Sequence, residues 1–434
     1  MNVRTTMLSA GLALVIAMLW VPQVEAATET VVYAFKGGHD GSFPSGGLLE
    51  VNGSLYGVTP LGGTGNCQGG CGTVFSFDPA TGAETVIYSF QGNGVDGSQP
   101  AGTLIDVNNT LYGVTTFGGT GTCSSGCGTV FSINPNSGAE TVVYSFQHNG
   151  LDPQWPSSGL INENGMLYGA STLGGANCLS AGSGCGTIFS LDPTTGSEAV
   201  LYSFCTKGNC ADGVLPNGPL LNVNGTFYGT TEFGGLSNTA CIGDYPGCGT
   251  VFSFDPGSGA ETVLYSFCSK KKCADGSEPA ATLLEFKNAI YGTTSEGGNE
   301  IACDAEGCGT IFSLDLISGA ETAVYVFCQT QKREGDICNR GAQPNGGLIE
   351  LKDKLVGTSV NGGKRSYGNV FSIRPSTAKV RQLHAFADGA DGAYPAGSLV
   401  DFEGTLYGTT RVGGRRGHAC ALDEGCGTVF SIAP

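Results

Sequence analysis

The chain repeats one pattern seven times, and the parts of that pattern are offset along the sequence. A Leu-Tyr-Gly tripeptide or a close variant has its central residue at Tyr56, Tyr112, Tyr168, Tyr228, Tyr291, Val356 and Tyr407. A Gly-Thr-Val-Phe-Ser-like segment follows each copy, with its Phe at Phe75, Phe131, Phe189, Phe252, Phe312, Phe371 and Phe430. A third, Tyr-Ser-Phe-like segment ends at Phe35, Phe90, Phe146, Phe204, Phe267, Phe327 and Phe386. The first copy of the third segment precedes every copy of the other two, so the chain begins with the last part of a unit.

One unit predicts four antiparallel strands. In residues 45–90 these are Gly47–Val51, Ser54–Thr59, Gly72–Asp78 and Ala83–Phe90, which are rich in β-branched and aromatic residues. Asn-Gly and Asp-Pro-x-x-Gly turns separate them, together with a Gly-rich loop between the second and third strands. Because a unit of this size cannot bury a core alone, the repeats must pack together. The pattern is typical of an all-β, seven-bladed β-propeller of four-stranded antiparallel blades.

The offset predicts how such a ring closes. Glu29–Phe35 supplies only a fourth strand, whereas the final unit supplies Ser398–Phe402, Thr405–Thr410 and Gly427–Ile432 as its first three. We therefore expect the N-terminal strand to join the last blade and to hide the strand edges. The alternative is a linear stack of repeats, which needs polar capping units at both ends.

The first 26 residues have the features of a secretory signal peptide. Arg4 precedes an apolar run over Leu8–Trp20, and Val24-Glu25-Ala26 provides a cleavage site. A retained signal anchor is the alternative. We therefore predict a signal peptide over 1–26 and a single propeller domain over 27–434. We also expect a secreted or periplasmic monomer with no membrane span in the mature chain and no C-terminal anchor.

The 18 cysteines form nine near-neighbour pairs in the sequence. These are Cys67/Cys71, Cys123/Cys127, Cys178/Cys185, Cys205/Cys210, Cys241/Cys248, Cys268/Cys273, Cys303/Cys308, Cys328/Cys338 and Cys420/Cys426. An even count after a signal peptide favours disulfides. Metal binding is the rival interpretation, but the spacings vary and the four histidines do not accompany the pairs. We expect no metal and no cofactor.

The strand order places all nine pairs on one face of the ring, which we call the loop face. Small disulfide loops hold irregular segments in one shape, which suits ligand binding, although protection from proteases is an equal explanation. The blade-to-blade loops carry an Asp-Gly-x-x-Pro motif with its Asp at Asp40, Asp96, Asp152, Asp212, Asp275 and Asp391. Arg340 replaces the Asp in the sixth blade. We predict that the Asp caps a turn; a ring of calcium-binding or catalytic carboxylates is the alternative.

Two features of the sequence indicate candidate ligand-binding residues on the loop face. The residue before the motif's Pro varies, being Phe43, Gln99, Trp155, Leu215, Glu278, Gln343 and Tyr394. Basic residues also cluster late in the chain, although the formal net charge is −17. They indicate a basic sector for an anionic glycan or an acidic partner, or else a solvated surface. Nucleic acid is excluded by the acidic balance of a secreted chain. The candidate residues are Trp155, Glu278, Arg340, Lys364, Arg365, Tyr394, Arg411, Arg415 and Arg416.

The recurring Leu-Tyr-Gly, Gly-Gly, Cys-Gly-Thr-Val-Phe-Ser and Asp-Pro-x-x-Gly-x-Glu motifs resemble the bacterial Gloeo/Verruco (GloVer) tandem repeats over residues 28–434. The resemblance implies an extracytoplasmic bacterial repeat protein and brings no catalytic residues with it. Members often carry C-terminal surface anchors. The sixth unit departs from the pattern at Val356 and in its cysteine-free loop around Lys364 and Arg365.

Three functions follow as hypotheses. The first is a disulfide-stabilised binding module for extracellular carbohydrate or protein partners. The second is a polysaccharide hydrolase or lyase that uses the unrepeated carboxylates Glu232, Glu278 and Glu296, whose separation would decide the mechanism. The third is a structural component of the cell envelope. Among known catalytic motifs, neither Gly-x-Ser-x-Gly nor His-Glu-x-x-His occurs in the sequence.

Overall fold

The computed structural model describes residues 27–176, 184–236, 241, 245–279, 281–298, 303, 307–328, 338–414, 420 and 424–434. The predicted signal peptide lies outside these residues. The described chain is all-β, as predicted, and its sheets form a seven-bladed propeller. Its helical segments are short 3-10 turns at Gly38–Asp40, Gly208–Cys210, Lys271–Cys273, Pro375–Thr377 and Gly389–Asp391.

Each blade is an antiparallel sheet whose strands follow one another from the central channel outwards. Blade 1 contains the strands Ser45–Val51, Ser54–Thr59, Thr73–Asp78 and Ala83–Ser89. Blade 2 contains Gly97–Asp106, Leu111–Gly118, Thr129–Ile133 and Glu140–Ser145. Blade 3 contains Ile161–Glu163, Met166–Ser171, Thr187–Leu191 and Glu198–Ser203. Pro153–Gln154 and Leu173–Gly174 add a short ladder beside blade 3. Blade 4 contains the strands Val214–Pro216, Leu221–Val223, Thr226–Phe233, Thr250–Asp255 and Ala260–Ser266. Blade 5 contains Ser277–Pro279, Leu284–Phe286, Ala289–Glu296, Thr310–Asp315 and Glu321–Val326. Blade 6 contains Ile349–Leu351, Lys354–Ser359, Asn369–Arg374 and Lys379–Ala385.

The seventh blade is built from both ends of the chain. Its first three strands are Ala393–Phe402, Thr405–Val412 and Thr428–Ala433. The N-terminal strand Thr28–Ala34 pairs with Thr428–Ala433 in antiparallel register, from Thr28 opposite Ala433 to Ala34 opposite Thr428. The sheet therefore has the same four-strand order as the other blades.

Two fully buried Phe rings fill every junction between blades. One belongs to the end of a blade's outer strand, and the other to the third strand of the next blade. Their ring centroids lie 5.0 to 5.4 Å apart in edge-to-face arrangements, which is the favoured geometry for aromatic pairs. The pairs are Phe35/Phe75, Phe90/Phe131, Phe146/Phe189, Phe204/Phe252, Phe267/Phe312, Phe327/Phe371 and Phe386/Phe430. The two Phe-bearing repeat segments are thus the core of the blade interfaces.

The glycine of Leu-Tyr-Gly is required by close packing. In blade 4, a Cβ added to Gly229 would lie 2.5 Å from Cζ of Phe252, which is too close for any side chain. The preceding tyrosine packs between blades. Tyr168 of blade 3, for example, meets Phe227 of blade 4 with ring centroids 4.8 Å apart. The whole tripeptide therefore serves blade packing.

Eight of the nine predicted disulfides lie within the described residues, and the ninth involves Cys178, which lies outside them. Disulfides from the loop between the second and third strands and from the blade-to-blade loop meet on the loop face. The sulfur of Cys303 lies 3.9 Å from that of Cys328 and 4.0 Å from that of Cys338. This number of disulfides indicates an oxidising, extracytoplasmic environment. Among the described residues, no helix has the length and apolarity needed to cross a membrane.

In several of the disulfides, the two cysteines differ in burial. Cys123 and Cys420 are half-buried, whereas their partners Cys127 and Cys426 are fully buried. Cys127 and Cys426 pack in the apolar clusters that fill the blade interfaces. The reason is their position, because only one glycine separates each of them from the third strand, which carries them into the interface.

Candidate functional site

The seven variable residues before the motif's Pro form a ring with one shared backbone conformation. We call Phe43, Gln99, Trp155, Leu215, Glu278, Gln343 and Tyr394 the mouth ring. Every member has a φ between 52 and 58°, a left-handed conformation that is uncommon for residues other than glycine. Each main-chain N–H donates to a carbonyl of the preceding blade. Gln99 donates to Cys71 over 2.8 Å and Tyr394 to Tyr367 over 2.9 Å.

The mouth ring therefore holds chemically different side chains on an invariant frame. The carbonyl acceptor comes from the residue just before the third strand's leading glycine, which is a cysteine in six blades and Tyr367 in blade 6. The inner strands that follow the ring line a central cavity of about 210 Å³. Its walls are small residues such as Ser45, Gly102 and Thr103, so it offers little chemistry of its own.

A large groove opens beside the mouth ring between blades 1 and 2. This blade-two groove, lined among others by Cys67, Gln68, Gln99, Phe117 and Thr120, encloses about 620 Å³. Phe117 is half-buried and packs edge-to-face against Trp155, with ring centroids 5.6 Å apart. The groove thus combines an aromatic surface, two amide side chains and a disulfide wall.

A smaller groove lies where blades 6, 7 and 1 meet. This blade-seven groove, lined by Phe43, Val360, Tyr394, Arg411, Val412 and Glu424, encloses about 210 Å³. It brings together two predicted site residues, Tyr394 and Arg411. Burial raises the pKa of the Tyr394 hydroxyl, with the charge of Glu424 adding to the effect. Arg411 is exposed and offers a cation beside the Tyr394 ring.

The buried cysteines of the disulfides support the mouth ring and are not themselves placed to touch a ligand. The main-chain carbonyl of Cys127 accepts a hydrogen bond from Trp155 over 3.1 Å, and that of Cys426 accepts one from Phe43 over 2.9 Å. Neither cysteine lines the blade-two groove or the blade-seven groove. Cys127 and Cys426 therefore have a structural role, and Cys67 supplies the disulfide wall of the larger groove.

Three other predicted basic residues, Arg340, Lys364 and Arg365, line neither of these two grooves. Arg340 is exposed and lies against Tyr325. Burial raises the pKa of the Tyr325 hydroxyl, and the positive charge of Arg340 offsets part of this rise. Lys364 is exposed, and Arg365 donates a hydrogen bond to the Ala387 carbonyl over 3.3 Å. Arg415 and Arg416 lie outside the described residues.

The three carboxylates proposed for catalysis are all half-buried on neighbouring segments of blades 4 and 5. Burial raises the pKa of Glu232. Glu278 belongs to the mouth ring, and Ser277 before it pairs with Glu296 across the ladder. None of the three occurs in the groups of close metal-ligand side chains found among the described residues.

The Asp of the Asp-Gly-x-x-Pro motif caps its turn, as predicted. Asp212 is fully buried and accepts hydrogen bonds from the Tyr202 hydroxyl at 2.8 Å and the Thr206 main-chain N–H at 2.9 Å. The corresponding pair of contacts recurs for Asp40, Asp96, Asp152 and Asp275. In the junction between blades 6 and 7, His384 takes the place of the tyrosine beside Asp391.

A buried glutamate completes each of these junctions, and the sequence analysis missed it. It lies on the outer strand of the following blade, six residues before the buried Phe, at Glu29, Glu84, Glu140, Glu198, Glu261 and Glu321. In all six, the Oε1 atom is buried and has no hydrogen-bond partner among the described residues. We call each Tyr or His, Asp and Glu set a junction triad. The recurring Glu in the Asp-Pro-x-x-Gly-x-Glu pattern was the available signal.

The junction triads balance their charge in two ways. Burial, with the neighbouring Asp adding to it, raises the pKa of Glu140 and Glu198 to about 7 and that of Glu84 to about 8. Lys207 and Lys270 instead lie 2.7 Å from the carboxylates of Glu261 and Glu321.

The junction between blades 5 and 6 lacks both acids. Arg340 replaces the Asp and Val380 replaces the Glu, and Tyr325 and Val380 pack on the same apolar cluster. The two replacements occur together at this one junction, which is consistent with the packing of the two carboxyl groups against each other in the other junctions.

Comparison with known proteins identifies the family and the fold. No curated protein matches the chain. The extracellular domain assigned to a hybrid two-component system from B. thetaiotaomicron has a TM-score of 0.55 at 10% identity, covering 93% of this chain and 40% of that one. An oligogalacturonate lyase in complex with manganese has a TM-score of 0.51 at 9% identity, covering 94% of each chain. At these identities the likeness shows the fold alone.

The sequence itself carries the family assignment. The profile of the Gloeobacter/Verrucomicrobia repeat matches residues 20–183 and 178–430, which together span nearly the whole chain. The seven units that build the blades are those in which the motifs recur. The protein therefore belongs to the Gloeobacter/Verrucomicrobia repeat family.

Proposed function

We propose that the protein is an extracytoplasmic binding module whose loop face holds an extracellular carbohydrate. The observation that carries the proposal is the mouth ring, in which seven side chains of six different types stand on one rigid frame. A frame fixed by the same inter-blade hydrogen bond in every blade accommodates side chains of different chemistry. Rigid loops also lower the entropy lost on binding.

The blade-two groove is the proposed main site. Its volume of about 620 Å³ falls within the range of about 300–1,000 Å³ typical of ligand sites. The Phe117 ring supplies an apolar face, and the amides of Gln68 and Gln99 supply donors and acceptors for hydroxyl groups. This combination suits a sugar, which is apolar on the faces of its ring and polar at its edge.

The blade-seven groove is the proposed site for an anionic group of the same ligand class. At about 210 Å³ it has room for one small group. Arg411 supplies a cation that can bind a carboxylate in bidentate fashion, next to the aromatic surface of Tyr394. Uronic acids combine a sugar ring with such a carboxylate.

A glycan panel tests the proposal. Mature protein is screened against neutral and uronate-containing oligosaccharides, and the variants F117A and R411A are compared with R340A, whose arginine lies at a blade junction. We expect F117A to weaken binding in general, R411A to weaken binding of uronates selectively, and R340A to bind as wild type. Absence of glycan binding, or capture only of protein partners, would contradict the carbohydrate assignment.

The same panel separates binding from catalysis. The hydrolase or lyase hypothesis draws on the half-buried Glu232, whose pKa is raised by burial, as expected of a general acid. Release of shorter products from oligogalacturonate or other polysaccharides, abolished by E232Q, would favour that hypothesis. Binding without product release favours the module.

A further inference from the structure

One junction triad differs from the others in a way that changes its chemistry. Six junctions between blades carry a tyrosine on the outer strand, whereas the junction between blades 6 and 7 carries His384. The His384 Nε2 atom lies 3.1 Å from Oδ1 of Asp391 and 3.9 Å from Oε2 of Glu29. One potential ligand atom from each of the three residues lies within 4.8 Å of the others.

The carboxylates around His384 are positioned and partly unsatisfied. The side chain of Glu29 is only 9% exposed, and its Oε1 atom has no hydrogen-bond partner among the described residues. Asp391 is held by the Ala387 main-chain N–H, which donates to Oδ2 over 2.6 Å and leaves Oδ1 facing the imidazole. The His384 ring packs against Phe386 with centroids 4.8 Å apart, which fixes its orientation.

We propose that Glu29, His384 and Asp391 form a binding site for a divalent transition-metal ion of the zinc type. Ligand atoms about 2.0–2.2 Å from a tetrahedral zinc lie about 3.3–3.6 Å from one another, a range that falls between the 3.1 and 3.9 Å separations around His384. One imidazole and two carboxylates are suitable zinc ligands, and a water molecule would complete the set. The two negative charges of the carboxylates would offset the charge of the ion.

The position of the site gives the ion a structural role. Glu29 belongs to the N-terminal strand, which completes blade 7, whereas His384 and Asp391 belong to blade 6 and the loop that follows it. An ion held by all three joins the closing strand to the neighbouring blade. Metal binding should therefore stabilise the ring at the point where the two ends of the chain meet.

Metal titration of untagged, oxidised protein tests the proposal. The protein is dialysed against EDTA and then titrated with Zn²⁺ by calorimetry and with Co²⁺ by visible absorption. We expect one ion per chain and a higher unfolding temperature with Zn²⁺. A thiol assay checks that the disulfides stay closed, because free cysteines would bind zinc on their own.

Three variants locate the ion. H384Y restores the tyrosine of the other junctions, so it should fold, yet it should lose more than about tenfold in affinity, at least what loss of a supporting group costs. E29Q keeps the shape of the carboxyl group and should weaken zinc binding to a similar extent. It provides the test if H384Y folds poorly. H39A removes an exposed histidine and should bind as wild type. Wild-type protein that binds no Zn²⁺, or H384Y and E29Q that bind it unchanged, would overturn the proposal.

Discussion

The aspartates of the junction triads and the residues of the mouth ring lie three residues apart in the same blade-to-blade loops, and they follow opposite rules. Asp96 and Gln99 illustrate the contrast. Asp96 repeats with almost no variation and bonds inwards to Tyr88 and Gln91. Gln99 uses only its main chain to bond to the preceding blade, so its side chain is free to differ. The fold depends on side chains at one position and on the backbone at the other.

This difference indicates which positions of the closed ring can change their side chains to bind different ligands. At the junction triads a change of residue leaves buried donors or carboxylates unpaired, which is costly. At the mouth ring the constant contact is a main-chain N–H, which every residue except proline provides. Stability should therefore respond to the first position, and ligand binding to the second.

The largest expected effect comes from the buried Phe pairs of the junctions. F252A removes a fully buried ring that packs on Phe204 and should lower the free energy of unfolding by about 3–5 kcal/mol. F117A, at a half-buried ring on the loop face, should lower it by less than half as much. Denaturant unfolding of both variants measures the two losses of unfolding free energy. Equal losses for F252A and F117A would contradict the expected difference between the junctions and the loop face.

A smaller loss is expected at the junction aspartates. D212A leaves the Thr206 main-chain N–H without its acceptor and removes one acceptor of the Tyr202 hydroxyl, which keeps its contact with Glu261, at a cost of about 1–3 kcal/mol. L215A, three residues later in the mouth ring, truncates a half-buried side chain and should cost less. A larger loss for L215A than for D212A in the same unfolding experiment would reverse our assignment of the two positions.

The glutamates should make stability depend on pH. The pKa of Glu140 and of Glu198 is raised from 4.5 to about 7 by burial. Between these values the folded chain holds protons that the unfolded chain has released, so stability falls as pH rises through this window. It levels off above about pH 8, the value to which burial raises the pKa of Glu84.

The smallest expected effects on stability distinguish the glutamates with a raised pKa from the glutamates that pair with a lysine. E140Q/E198Q should flatten the fall in unfolding temperature between about pH 5 and 8, because glutamine does not titrate. E261Q removes a carboxylate that Lys207 already balances and should change stability by less than about 1 kcal/mol, because Lys207 is half-exposed. A pH profile unaffected by E140Q/E198Q would show that these carboxyl groups do not titrate as the structure implies.

The sequence predicts the fold well because its repeats encode local structure and packing together. The two Phe positions, the Gly of Leu-Tyr-Gly and the capping Asp recur in every unit or nearly so, and each has one packing role. The site is less predictable. Tyr394 and Arg411 share a groove because blades 6, 7 and 1 converge, whereas Arg340 lies at an outer junction. Which loops converge depends on three-dimensional paths that local patterns do not encode.

The glutamates were missed for a related reason. Within one strand Glu84 looks like an exposed residue on an alternating pattern, and only the neighbouring blade buries it against Asp40. The joint replacement of Asp and Glu at the sixth blade, by Arg340 and Val380, is the clue that the repeats contain.

The most direct test of the account measures stability and glycan affinity together for D96A and Q99A. D96A should lower the unfolding midpoint, while the folded fraction keeps its affinity for the glycan identified on the panel. Q99A should leave the free energy of unfolding within about 0.5 kcal/mol of wild type and weaken binding about fivefold, the value of one hydrogen bond. A Q99A protein that binds as wild type, or that unfolds as readily as D96A, would contradict the separation of fold and recognition.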